Sequence, residues 1–318
     1  MYRIGIDLGG TNIKAGVVDE KYTIVATAKC KTRMPRPAED IIADMASTAR
    51  KAVEAAGLTM DDIACVGVGS PGTCNEETGV VEYANNLRFE NVPLRRLLSG
   101  LLDKEVFIGN DANAAALGET LAGAARGARS SVCITLGTGV GGGIILDGKI
   151  YSGFNFAGAE LGHTVIVMDG EPCTCGRNGC WEAYASATAL INQTRRAMEA
   201  HPGSEMWKLA GNLDKVDGRT AFDAMRRGDA AGKAVVDAYI HYIACGLINM
   251  INIFQPEILC IGGGICKEGD TLVTPLRKEI EDARYSKSCE NQTRLCVAEL
   301  GNDAGIIGAA FLDEGAGH

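Results

Sequence analysis

Ile4-Gly5-Ile6-Asp7-Leu8-Gly9-Gly10-Thr11-Asn12-Ile13-Lys14 decides the fold: a short apolar strand, a turn made of glycines, and the beginning of a second strand. Beyond it, residues 13–18 and 23–30 extend the pattern to three consecutive strands. Ile42, Met45, Ala49 and Val53 recur at helical spacing between residues 38 and 56, and Gly57 is placed as a stop. Residues 63–69 read as a buried strand running into Ser70-Pro71-Gly72, followed by a less regular stretch containing Asn85 and Asn86. Val106-Phe107-Ile108-Gly109 then delivers Asn110-Asp111 to an alanine-rich helix. Strands alternating with helices in this way give an α/β architecture.

The order begins again at residue 132. Val132–Leu136, the loop Gly137-Thr138-Gly139-Val140-Gly141-Gly142-Gly143, and residues 144–146 and 149–150 repeat strand, glycine turn, strand, short turn, strand. Ile258–Ile261 before Gly262-Gly263-Gly264, residues 295–298 and a helix over 303–311 complete the second half. Gly109-Asn110-Asp111-Ala112 and Gly301-Asn302-Asp303-Ala304 are near-identical at the two strand-to-helix junctions, so the repeat is one of a whole fold. Residues 186–257 are mostly helical in pattern and show no obvious chemistry.

With 318 residues, 46% of them hydrophobic, two compact domains are expected. The net charge of −9, with no basic stripe, disfavours non-specific nucleic-acid binding, which would begin from repulsion. No apolar run is read as spanning a bilayer, and Met1 leads into the first strand without a leader; the expectation is a soluble, cytoplasmic protein. Forty-one glycines beside 8 prolines and no three-residue period exclude collagen, and the glycines read largely as phosphate and nucleotide loops. Twelve cysteines in so long a chain read as reduced thiols, mostly small buried hydrophobes. Cys173, Cys175 and Cys180 stand apart.

Three glycine-rich turns follow strands, and such turns let backbone amides approach an anion. Neither GxGxxG opening a helix nor GxxxxGK[ST] is satisfied, because the first two turns lead into strands. Asp7 beside the first turn suits a hydrated magnesium ion, or else simply caps its own turn. Asp111 is the candidate catalytic base, able to take the proton of a hydroxyl attacking phosphorus; the alternative is a plain helix cap, the role assigned to Asp303. His163, Cys173, Cys175 and Cys180 have the composition of a closed Cys3His zinc site whose purpose is to orient Glu160 and Glu182. Glu160, Glu182, Asn86, Asn110 and Asp111 offer the carboxylates and amides that suit several hydroxyls at once, as a sugar does. Paired carboxylates also occur in glycoside hydrolases, which have no use for phosphate loops.

Ile6-Asp7-Leu8-Gly9-Gly10-Thr11, Asn110-Asp111-Ala112-Asn113-Ala114, Leu136-Gly137-Thr138-Gly139, Glu160-Leu161-Gly162-His163, Cys173-Thr174-Cys175-Gly176-Arg177-Asn178-Gly179-Cys180-Trp181-Glu182 and Ile261-Gly262-Gly263-Gly264 together resemble the ROK family of bacterial sugar kinases, within the actin- and hexokinase-like ATPases. The motif set, including Asn85-Asn86-Leu87, is most similar to the Gram-positive glucokinases. The resemblance implies two RNase H-like domains with a cleft between them: residues 1–112 plus 303–318, and 113–302 with the zinc segment 158–182. It implies ATP with magnesium as phosphoryl donor, the phosphates at Asp7, Gly9, Gly10, Thr11, Asn12, Lys14, Gly137, Thr138 and Gly139 and the adenosine near Gly262, Gly263 and Gly264. Asp111 would be the base at the sugar's 6-hydroxyl; Asn86, Asn110, Asp111, Glu160, His163 and Glu182 would hold the sugar. Glucose is the expected hexose, with a kinase of N-acetylmannosamine, N-acetylglucosamine or another hexose, or a non-catalytic sugar-binding regulator, as alternatives. With the first strand so near Met1, the winged helix-turn-helix of family repressors is expected to be absent, and a homodimer is expected.

Overall fold

The structure, a computed structural model, describes residues 1–315. Residues 316–318, placed by expectation at the end of the first domain, lie outside the described part.

The first half contains strands β1 (Tyr2–Leu8), β2 (Asn12–Val18) and β3 (Ile24–Lys31), helix α1 (Ala38–Ala55), β4 (Ile63–Ser70), a small sheet of β5 (Thr73–Asn75), β6 (Val80–Ala84) and β7 (Phe89–Val92), helix α2 (Leu94–Leu102), β8 (Val106–Asn110) and α3 (Asp111–Ala122). The second contains β9 (Ser131–Leu136), β10 (Val140–Leu146), β11 (Lys149–Ile150), α4 (Glu182–Ala185), α5 (Ala187–Ala200), α6 (Glu205–Ala210), α7 (Thr220–Arg226), α8 (Ala230–Phe254), β12 (Ile258–Gly262), α9 (Asp270–Ala283), β13 (Arg294–Val297), α10 (Ala304–Ala310) and α11 (Leu312–Gly315). The two large sheets run β3-β2-β1-β4-β8 and β11-β10-β9-β12-β13. Both place the second and third strands on one side of the first and the later pair on the other, so the repeat legible in the sequence is a repeat of topology.

Strand periodicity fixes which side chains meet which helix. On β1, Ile4, Ile6 and Leu8 are buried in a cluster with Ile42, Met45 and Ala49 of α1. The alternate residues face α10: Arg3 lies with its guanidinium carbon 4.3 Å from the centre of the Phe311 ring, and a Cβ on Gly5 would stand 1.8 Å from the Ile306 carbonyl oxygen. A Cβ on Gly67 of β4 would stand 1.7 Å from the Ala309 oxygen, and one on Gly308 of α10 equally close to the Ala114 oxygen of α3. These glycines let α10 pack against the sheet and α3 at backbone distance. The sequence expectation is corrected here: a substantial group of glycines serves packing instead of anion binding.

Contacts divide the chain into two units. Among the described residues, the first comprises 1–133, 142–159 and 298–315, the second 134–141 and 160–297. Helix α3 goes with the first unit, because α10 packs on it, and the division therefore does not run through the 112/113 boundary. The returning segment is tied down by Glu119, a carboxylate only 3% exposed that accepts from the backbone amides of Ala124 (2.9 Å), Glu299 (3.2 Å) and Leu300 (2.9 Å).

In the second unit, α8 is long and apolar enough to cross a membrane by length and composition, contrary to the reading that no run qualified. Its Tyr239, Ile243, Leu247 and Met250 are buried, and the buried Trp181 packs against it at Gly246. The remaining described helices of this unit account for the helical pattern of residues 186–257.

Candidate active site

The first unit gathers its polar residues at the carboxyl ends of β1, β4 and β8, which run parallel, the place where open α/β sheets hold ligands. In register, Asp7 pairs with Gly69 of β4 and Gly69 with Gly109 of β8, so Asp7 and Asn110-Asp111 lie on either side of one strand. Asp7 also pairs across β1 and β2 with Lys14, whose Nζ is 3.5 Å from Asp7 Oδ2. Burial holds the Asp7 carboxyl above its ordinary value, and the lysine opposes that shift.

The turn after β1 is closed by Gly9 N–H donating to the Asn12 carbonyl at 3.0 Å, while Thr32 Oγ donates to the Gly9 carbonyl at 2.6 Å. Thr11 is exposed at its tip. Asn86 reaches this turn from the short 3-10 segment Asn85–Leu87 after β6: a Cβ on Gly10 would be 3.5 Å from that of Asn86.

Asn110 settles the ambiguity over the α3 start. Its Oδ1 accepts from Ala112 N (2.9 Å) and Asn113 N (3.2 Å), and its Nδ2 donates to the Gly72 carbonyl at 3.1 Å. Asn110 is therefore the N-cap, and Asp111 is the first helical residue, its Oδ1 accepting from Ala112 N at 2.9 Å. The matching phrase at 301–304 behaves differently, which corrects the structural capping role given to Asp303. Gly301–Asp303 form a 3-10 turn with Gly301 at φ 55°, and the exposed Asp303 makes no capping bond.

The second unit holds the remaining predicted residues. His163 Nδ1 lies 3.5 Å from Cys173 Sγ, and the Cys175 and Cys180 sulfurs are 3.6 Å apart. All four ligand atoms fall within 4.8 Å of one another. A tetrahedral zinc with bonds of about 2.0–2.3 Å has ligand edges of roughly 3.5–3.8 Å, so this donor set fits the ion. Burial, reinforced by the neighbouring sulfurs, pushes the Cys180 thiol up to about 12, and a backbone bond at Arg177 draws Cys175 down. Thiols so crowded cannot all ionise without a cation among them.

Glu182 Oε2 accepts from Val140 N at 2.9 Å, while Oε1 is 3.5 Å from Thr174 Oγ. This carboxylate joins the cysteine segment to the end of the loop at Gly137, Thr138 and Gly139. The same loop is held at its other side by Ala187 N donating to the Gly137 carbonyl (2.8 Å) and Thr188 Oγ to that of Thr138 (2.7 Å). Gly262, Gly263 and Gly264 end β12, the neighbour of β9, and Gly263 sits against the Leu136 backbone. Glu160 is exposed and begins the turn Leu161–His163, its carbonyl accepting from His163 N at 3.1 Å.

The ROK family profile matches residues 3–315. The chain belongs to the ROK family. Over 310 residues it is 39% identical to the glucokinase of Thermotoga maritima, covering 97% of this chain and 96% of that protein. It is 36% identical over 313 residues to the glucokinase of Halalkalibacterium halodurans, at 97% and 94% coverage. Among solved structures, a ROK family glucokinase from Streptomyces griseus in complex with glucose and AMPPNP superposes with a TM-score of 0.79 at 35% identity, covering 98% of this chain and 99% of that one. The hexokinase-like α/β ATPase fold expected from the motifs is the fold of this ROK protein.

Sequence reading missed three residues around the ROK motifs. Gly72, at φ 87°, supplies the carbonyl that orients Asn110; the Ser-Pro-Gly turn was visible, its partner was not. Glu76 and Ser152, bonded at 2.7 Å, lie in stretches without any motif.

Proposed function

We propose that this ROK protein is an ATP-dependent hexose kinase that phosphorylates the 6-hydroxyl of glucose. The observation that carries the reading is the end of β8: Asn110 caps α3, and Asp111, the first residue of that helix, stands one strand away from Asp7 at the carboxyl ends of the parallel strands. The glucokinase relatives give the substrate.

Asp111 accepts the proton of the sugar 6-hydroxyl as that oxygen forms its bond to the γ-phosphorus of ATP; the bond from phosphorus to the bridging oxygen breaks, and ADP leaves with that electron pair. Asn86, Asn110, Glu160, His163 and Glu182 are the sugar-holding set. Asn110 and Glu182 act partly by position, since their side chains also fix the α3 start and the glycine loop. The turns at Gly9–Asn12 and Gly137–Gly139 cradle phosphates with backbone amides, and Gly262–Gly264 receive the adenosine. Magnesium, carried with ATP, supplies neutralisation of phosphate charge; Asp7, a partly buried carboxylate with one lysine partner, suits it. Zinc would be held by His163 Nδ1, Cys173, Cys175 and Cys180 as a structural cross-link, leaving Nε2 of His163 for the sugar. A cytoplasmic homodimer belongs to the same reading, and sedimentation measures it.

The test is turnover with magnesium-ATP against a panel of hexoses and N-acetylhexosamines. Glucose is expected to give the highest kcat/KM; preference for an acetamido sugar rejects glucose, and no turnover on any sugar rejects the kinase.

A further inference from the structure

We propose that Glu76 and Ser152 form a clasp that positions Glu160, which makes Glu76 a positioning residue for the sugar; this rests on the reading of Glu160 as a sugar ligand. Glu76 stands in the turn between β5 and β6. That turn is held from α2 by Arg95, which donates to the carbonyls of Glu76 and Glu77, and from within by Gly79 N donating to the Asn75 carbonyl at 2.9 Å. From this fixed base, Glu76 Oε1 accepts from Ser152 Oγ at 2.7 Å.

Ser152, 8% exposed, lies two residues beyond β11. Its own carbonyl accepts from Gly158 N at 2.8 Å, closing residues 153–157 into a small loop with Phe154, 98% exposed, near its tip. Inside the loop Phe156 N donates to the Gly153 carbonyl at 3.2 Å, and Phe156 and Ala159 hold left-handed backbone at φ 60° and 64°. Non-glycine residues stay in that region only where neighbouring bonds over-determine it. Glu160 follows two residues after Gly158. Ser152 thus binds the loop closure through its carbonyl and the β5–β6 turn through its hydroxyl, and the second bond gives the loop its footing.

Glu76 is half-buried, and a carboxyl withdrawn from water needs a hydrogen-bond partner. Burial raises the Glu76 carboxyl above its ordinary value, with the Ser152 bond and the Arg95 charge opposing.

Three variants test it: Glu76→Ala, Ser152→Ala and Glu76→Gln, the last keeping an Oε1 acceptor. The readouts are amide hydrogen exchange over residues 151–160, the KM values for glucose and ATP, and Tm. With Glu76→Ala and Ser152→Ala, exchange at Gly158 and the glucose KM are both expected to rise about tenfold, the worth of one hydrogen bond to a charged group, with the ATP KM within about twofold of wild type. Glu76→Gln is expected to restore both. Unchanged exchange in Ser152→Ala and Glu76→Ala overturns the clasp, as does a parallel rise of both KM values with a falling Tm. Faster exchange with an unchanged glucose KM overturns the positioning of Glu160 by the clasp; an unchanged glucose KM in Glu160→Ala as well places the failure in the reading of Glu160 as a sugar ligand.

Discussion

At the α3 start, the hydrogen bonds give the cap to Asn110, and the proposed base is the next residue, Asp111. A helix cap must face inward to its own amides, whereas a base must face its substrate. Because Asn110 satisfies the amides of Ala112 and Asn113, substitution separates the roles. Asp111→Asn is expected to lower kcat by about 10²–10⁴-fold, the usual contribution of a general base, while sugar affinity measured by equilibrium titration stays within a few-fold. Asn110→Ala is expected to cost about 1 kcal/mol in urea unfolding, as a lost cap does. Turnover surviving in Asp111→Asn removes that residue from the chemistry. The sequence made Asp111 a candidate by its place between strand and helix, where a cap would use the same letters; the hydrogen bonds of Asn110 identify the cap. The Asp303 phrase makes the converse point, since identical neighbours did not produce the same geometry.

Among the elements, α10 has the tightest requirement. It is short, and its position depends on glycines contributed by β1, β4 and its own sequence. Gly308→Ala puts a methyl carbon 1.7 Å from the Ala114 carbonyl oxygen, a distance that only backbone movement relieves. A loss of about 3 kcal/mol is expected by urea unfolding, at the upper end of ordinary overpacking. Gly100→Ala on α2, where nothing lies within 4 Å, is the control, with an expected gain of up to about 1 kcal/mol from helix propensity. Equal stability of the two variants would mean that α10 is not seated as described. The strands and α1 were legible because their apolar positions follow a clear period. The β5–β6–β7 sheet was not: its strands are three to five residues long, too short for alternation to register. Nor could the glycines of β1 and β4 be separated from loop glycines, because what they accommodate is a helix some 240–300 residues later in the chain.

On the scale of the whole chain, the predicted residues sort cleanly between two units, and the four candidate zinc ligands all belong to the second. Within that unit the segment has two kinds of anchor. His163 and residues 173–180 converge on the metal position, and among the described residues only isolated bridges, Val165 with Cys180 and Pro172 with Asn178, give this stretch sheet pairing. Immediately afterwards Trp181 is fully buried against α8, its Nε1 donating to the Tyr242 carbonyl at 2.8 Å, and Tyr239 Oη donates to the Ala185 carbonyl at 2.9 Å. A burial of this size is worth about 3 kcal/mol or more and needs no metal. Metal removal is therefore expected to act locally. Elemental analysis should find one zinc per chain, and a chelator should raise amide exchange over residues 163–180 at least about tenfold, since structural zinc contributes folding free energy where it binds. Exchange in β1, β4 and β8 should not change, and the emission of Trp181, isolated by Trp207→Phe, should stay that of a buried indole. A red shift of Trp181 on chelation would mean that the metal holds the Glu182 end as well, and zinc-free protein with the same exchange over 163–180 would remove the metal from the design of the site.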